Sequence, residues 1–230
     1  MPAQQRSALL ASQRMRIAYL LAAVGGYLDA YTYFKRGGVF ANAQTANIVK
    51  LGIALAHGAR DTYLLFLLPI LAFALGLIAS LAIEHVLERR GIRLVRRTVL
   101  AVEALGLVIV GLIPLGAGTN TLANCVVSFL AAMQYETFTT FRGDVIVTTM
   151  STGNLRKMVD SAFRGTLNRS LPELRRALRY LSIIVTFAFG AYVGTKACDA
   201  LERAAVVPAI AALLAAIAII TVLRRRRVAR

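Results

Sequence analysis

Residues 62–83 read TYLLFLLPILAFALGLIASLAI, with no charged side chain until Glu84. About 20 mostly apolar residues are enough for a helix to cross the hydrocarbon of a bilayer, so this run predicts a membrane span and decides the fold class. Five more runs of similar character flank it. They are about Met15 to Phe34, Thr98 to Leu115 (carrying Glu103), about Thr119 to Phe141, about Ala177 to Thr195, and Ala204 to Leu223. Pro114, Gly116, Gly118 and Asn120 read as a tight turn between two of them. Of 230 residues, 58% are hydrophobic and 17% charged, against about 25% charged in soluble domains. The expectation is an all-α polytopic membrane protein with six transmembrane helices. A tail at 1–14 precedes the membrane domain at 15–223, and a basic tail at 224–230 follows it.

The formal net charge is +16, which in a soluble chain would suggest nucleic-acid binding. Here the arginines stand at the ends of apolar runs, where they act as topology determinants. Arg6, Arg14 and Arg16, the loop from Arg89 to Arg97, the stretch from Arg142 to Arg179, and the tail from Arg224 hold most of the 27 basic residues. Six crossings put all four regions on one side, with both termini in the cytoplasm of a bacterial inner membrane. Gly37 to His57 is also mildly apolar, but an extra crossing there would move the five-arginine loop outside. The first run carries Asp29 and several tyrosines and has no evident cleavage site, so it reads as a retained helix. No nucleic-acid partner is expected. Arg89, Arg90, Arg175, Arg176 and Arg224 are candidate contacts for anionic lipid headgroups.

Residues 29–51 and 136–158 resemble each other at an offset of 107. Thr32, Phe34, Thr45, Asn47 and Lys50 recur as Thr139, Phe141, Thr152, Asn154 and Lys157, while Asp29 falls on Glu136. Halves of about 15–116 and 117–223 would each hold three spanning helices and one broken or re-entrant segment. An odd number of crossings inserts the halves with opposite orientation, the inverted-repeat plan of many secondary transporters. In each broken segment a glycine ends one helix and Thr-x-Asn opens the next, with Thr45 and Thr152 as expected N-caps.

Gly37-Gly38-Val39-Phe40 followed by Thr45-Ala46-Asn47, and Met133-Gln134-Tyr135 with Phe138 and Thr148-Thr149-Met150-Ser151-Thr152-Gly153-Asn154-Leu155-Arg156, resemble the two signatures of the YoaK-like bacterial membrane proteins. Ala46 departs from the glycine of the first signature, and Glu136 replaces a small or amide residue. That family is one of unknown function, so the resemblance implies an architecture and a location but no activity.

Ionisable residues within spans are costly and are functional candidates by default. Asp29, Thr45, Asn47, Gln134, Glu136, Thr152 and Asn154 would form an acid-and-amide cluster between the halves, suited to a proton, a cation or a polar solute. Glu103 reads as a partner for an arginine of the preceding loop. Cys125 and Cys198 read as small buried residues. No hydrolase, P-loop or metal-spaced motif is present, so neither an enzyme, a cofactor nor a metal is expected. The first expectation is a small-solute or ion permease. The alternative is a regulatory membrane protein that binds a partner or anionic lipid through its basic cytoplasmic face. Gly190 and Gly194 suggest a small-residue face for a homodimer.

Overall fold

The computed structural model describes residues 3–58, 60–92, 94–141 and 143–228. Eight α-helices follow in order: α1 Ala3–Lys35, α2 Gln44–Ala56, α3 Arg60–Arg89, α4 Val95–Leu112, α5 Ala117–Thr137, α6 Thr152–Leu167, α7 Leu171–Leu201 and α8 Val207–Val228. Between α5 and α6 lie two short strands, β1 Thr140–Phe141 and β2 Asp144–Val145, paired antiparallel. A 3-10 turn, Glu202–Val206, joins α7 to α8. The α4–α5 connection falls where the sequence placed it. Ile113 is extended, because the ring of Pro114 disfavours the helical region for the residue before it.

Several boundaries differ from expectation. α1 already begins at Ala3, within the stretch expected to be a tail. The run expected to span through Phe141 stops at Thr137, because the chain turns at Gly143 (φ 83°) into the hairpin. The segment from Leu171 is helical well before its apolar part begins, with Pro172 in its first turn. Proline there removes only an N–H that would have no helical partner.

Among the described residues, three stretches are long and apolar enough to cross a membrane by length and composition: Thr62–Arg89, Leu171–Leu201 and Ala204–Val222. α4 brings Arg96, Arg97 and Glu103 into a short helix, and α5 carries Asn120, Asn124, Ser128 and Gln134. Of these, Glu103, Asn124, Ser128 and Gln134 are buried. The outside of the bundle is apolar, as at Leu71, Leu75 and Ile78 of α3 and at Val185 and Phe189 of α7. This inside-out distribution suits a lipid surround.

α1 packs along α7, and α5 packs along α3. α2 packs on α3, and α6 on α7. α4 lies against α5, α8 against α1, and α4 and α8 meet each other. The pairings repeat when α1–α4 are renamed α5–α8. The first helix of each set therefore packs on the other set's third and fourth helices. Glycines permit the closest approaches: a Cβ at Gly190 would strike the carbonyl oxygen of Ala23, one at Gly26 that of Phe187, and one at Gly76 that of Phe129. The Gly190–Gly194 face expected to serve a dimer thus closes on α1 inside the chain. Chain directions follow from the same contacts. Gly190 meets Ala23 and Gly194 meets Tyr27, so α1 and α7 are parallel. Gly76 meets Phe129 and the Ser80 hydroxyl lies 2.9 Å from that of Thr137, so α3 and α5 are parallel too.

Leucine has a higher helix propensity than glycine by most of a kcal/mol, yet Gly76→Leu and Gly190→Leu should destabilise the protein by about 1–3 kcal/mol through overpacking. Gly52→Leu, with nothing within 4 Å of its Cβ position, should not. Thermal unfolding read by a thiol-reactive dye at buried Cys198 measures all three. A Gly190→Leu variant that melts with the native protein would refute the α1–α7 packing.

Candidate functional site

Two irregular segments interrupt the bundle, one between α1 and α2 and one between α5 and α6. In the first, Gly37 (φ 87°) and Gly38 (φ 77°) turn the chain in the left-handed region, and Val39, Ala41 and Asn42 are buried. Buried backbone needs partners, and Asn47 supplies them. Its Oδ1 accepts the N–H of Phe40 at 3.2 Å, and its Nδ2 donates to the carbonyl of the same residue at 2.7 Å. In the second segment Asn154 does the same for Val147, accepting its N–H at 3.1 Å and donating to its carbonyl at 2.6 Å. The lysines one turn later repeat too: Lys50 donates to Gly38 O, and Lys157 to Val145 O at 2.7 Å. All four pairs lie 107 residues apart. Burial lowers the pKa of the Lys157 ammonium, with the Asp144 charge opposing and Arg156 adding to the shift.

The threonines do not cap. Ala43 and Ser151 hold the N-cap positions without a side-chain cap bond, and Thr45 and Thr152 are exposed. The asparagine of each Thr-x-Asn instead pairs the backbone of the irregular segment before its helix, because its amide offers a donor and an acceptor together.

The two segments meet at Gly25, near the middle of the buried part of α1. Asn42 Nδ2 donates to Gly25 O at 2.7 Å, and Asn42 N donates to Asp29 Oδ1 at 2.9 Å. From the other segment, Thr148 O lies 2.7 Å and Thr149 Cα 3.3 Å from where a Cβ of residue 25 would stand. Thr148 Oγ1 accepts from Gln134 Nε2 at 2.9 Å, and Gln134 reaches Leu21 O at 3.4 Å. Asn42 Oδ1 and Thr149 Oγ1 are buried without any hydrogen-bond partner, and these two residues also lie 107 apart. The junction thus presents one carboxylate, two unpartnered oxygens and backbone carbonyls. Such a set accepts hydrogen bonds and attracts positive charge.

Of the expected cluster, Asp29 and Gln134 come to this junction. Asn47 and Asn154 stay within their own segments. Thr45 and Thr152 lie outside it, and half-buried Glu136 takes no hydrogen bond from the described residues of the second segment. Asn42, Thr148 and Thr149 were missed as site residues. Asn42 and Thr149 stand at equivalent positions of the repeat, but amide and hydroxyl are not identical, so the likeness does not show in the letters. Glu103 is also corrected. It lies midway along α4 at 1% exposure, and neither carboxyl oxygen has a hydrogen-bond partner, so it accepts none from an arginine. Among the described residues no cluster of three or more His, Cys, Asp and Glu side chains could hold a metal.

Two charged locks fasten the segments. Arg36, 1% exposed, donates to Val110 O at 2.9 Å, Ile113 O at 3.0 Å and Pro114 O at 2.9 Å, while its Nε meets the Tyr31 hydroxyl at 3.0 Å. A guanidinium needs no acid there because the carbonyl end of α4 carries partial negative charge. Buried Asp144 of the hairpin accepts from Arg176 Nε at 2.8 Å and Arg179 Nη2 at 2.6 Å. Arg176, expected to face lipid headgroups, is held by this pair. The expected headgroup contact of Arg224 lies outside the described side chains.

An apolar exterior, three membrane-capable helices and polar groups gathered inside define a helical membrane protein. The chain belongs to the family described as Protein of unknown function (DUF1275), whose model matches residues 17–220. No curated protein and no solved structure matches it.

Asn47→Ala and Asn154→Ala should each destabilise the fold by about 1–3 kcal/mol per buried group left unpaired. Thr45→Ala and Thr152→Ala should stay within about 0.5 kcal/mol of native, the range for surface changes. Equal losses in both sets, by the same dye-based melting, would restore the threonines as caps.

Proposed function

We propose that the chain is a six-crossing permease of the bacterial inner membrane, with oppositely inserted halves and a site for a small polar solute or ion at the Gly25 junction. The observation that carries this reading is the meeting of both interrupted segments at Gly25 of one helix, where Asp29 is buried and Asn42 Oδ1 and Thr149 Oγ1 are buried without a hydrogen-bond partner. Irregular backbone at membrane depth is tolerated where protein or a wet cavity surrounds it, and in transporters such breaks mark the binding site. The parallel runs of α1 with α7 and of α3 with α5 are what two oppositely inserted halves require. Asp29 carries the charge recognition, and Asn42 and Thr149 complete it from one half each. The regulatory alternative gains nothing from Arg176 and Arg179, which the protein's own Asp144 already holds.

Single cysteines in a Cys125→Ser, Cys198→Ser background test it, using an impermeant thiol reagent on sealed vesicles of known orientation. Thr45→Cys should react only from outside and Thr152→Cys only from the cytoplasm. Thr149→Cys should react from both sides as the protein cycles. Labelling of Thr45→Cys and Thr152→Cys from one common side would sink the inverted arrangement. Thr149→Cys unreactive from both sides would sink the permease.

A further inference from the structure

We infer that Glu103 is a proton-binding site in the apolar interior of the bundle, separate from the Gly25 junction and carrying a proton in this conformation. Glu103 shares the buried face of α4 with Val99, Leu100, Ala104, Gly106, Leu107 and Val110, all apolar. Both oxygens are buried and unpartnered. An ionised carboxylate without a partner is the costliest group to hold in such a place, whereas a neutral acid is a modest polar burden.

The packed neighbours offer little else. α5, whose Leu130 closes on Gly106, has Cys125, Tyr135 and half-buried Glu136 as its titratable residues, and α8 has none from Val207 to Leu223. Glu84, His85 and Glu88 at the end of α3 are exposed, as is Glu202 of the 3-10 turn. On α4 itself, Arg96 lies two turns earlier with its guanidinium 5.6 Å from the Phe138 ring centroid. A metal cation would need several oxygen ligands, and no acid cluster that could hold one occurs among the described residues. A proton needs only the carboxyl. Gaining or losing it requires water at the α4 contacts, so protonation is tied to how α4 packs on α5 and α8. The inference does not depend on the permease reading.

Infrared spectra of the full-length protein in lipid, native and Glu103→Gln, test it at neutral pH. The native protein should show the carbonyl stretch of a protonated acid free of hydrogen bonds, and Glu103→Gln should lack it. Glutamine copies the neutral acid, so the variant should melt with the native protein. Identical carbonyl regions would overturn the proposal, as would a variant that fails to fold while the native protein shows no such band. If the variant fails but the band is present, side-chain 13C-glutamate decides. Glu103 is the one glutamate among the buried residues, so a shifted band supports the site. A band unmoved by the label belongs to an aspartate and overturns it.

Discussion

A chain that leaves the helix inside an apolar bundle exposes peptide N–H and C=O groups where no water can satisfy them. Asn47 and Asn154 solve this with one side chain each, because a primary amide offers the same donor and acceptor as a peptide group. Each grips the backbone of the residue seven positions earlier, Phe40 or Val147. With those grips in place the segments stay within the bundle rather than looping out, and Asn42 and Thr148 reach α1 from different parts of the chain. The site at Gly25 depends on that, as does the glycine itself, since any side chain there would meet Thr148 O.

The packing of the two sets of helices follows from what lipid withholds. Between helices in a bilayer apolar burial gives little driving force, so close backbone approach and polar contacts hold the assembly. Gly76 and Gly190 provide the approach, and Tyr27, whose hydroxyl donates to Ala205 O, provides one such polar contact. Because α1 packs on α7 and α8, and α5 on α3 and α4, each set's first helix finds its main partners in the other set. Residues 29–51 and 136–158 repeat in sequence, but the helices around them pack in an interleaved way.

Beside Asp29, the buried charged residues among those described are handled in three ways. Arg36 is neutralised by the carbonyl end of α4, and Asp144 by two guanidinium groups. Glu103 has no hydrogen-bond partner for either oxygen. The first two are structural solutions of the usual kind, in which a buried charge is matched by dipoles or by opposite charge. The third leaves its demand unmet by the protein.

The sequence by itself determined the membrane class, because spanning runs free of charge such as Thr62–Ile83 are a property of composition and length. It also determined the likeness of residues 29–51 to 136–158, because the residues that grip backbone, Asn47 with Lys50 and Asn154 with Lys157, must keep their identity and spacing to do so. What it did not disclose was which polar residues would share a site. Asn42 and Thr149 differ in type, and Thr45 and Thr152 looked like caps because a hydroxyl before a helix usually is one. Nothing local to Arg36 says that the end of α4 lies beside it. Glu103 looked like an arginine's partner because charges near in sequence attract on paper. Only the tertiary structure shows which face of α4 is buried. These assignments were decided by contacts between residues 74 to 123 positions apart (Arg36 with Val110, Leu21 with Gln134, Gly25 with Thr148), and no local pattern records which distant groups a folded chain will bring together.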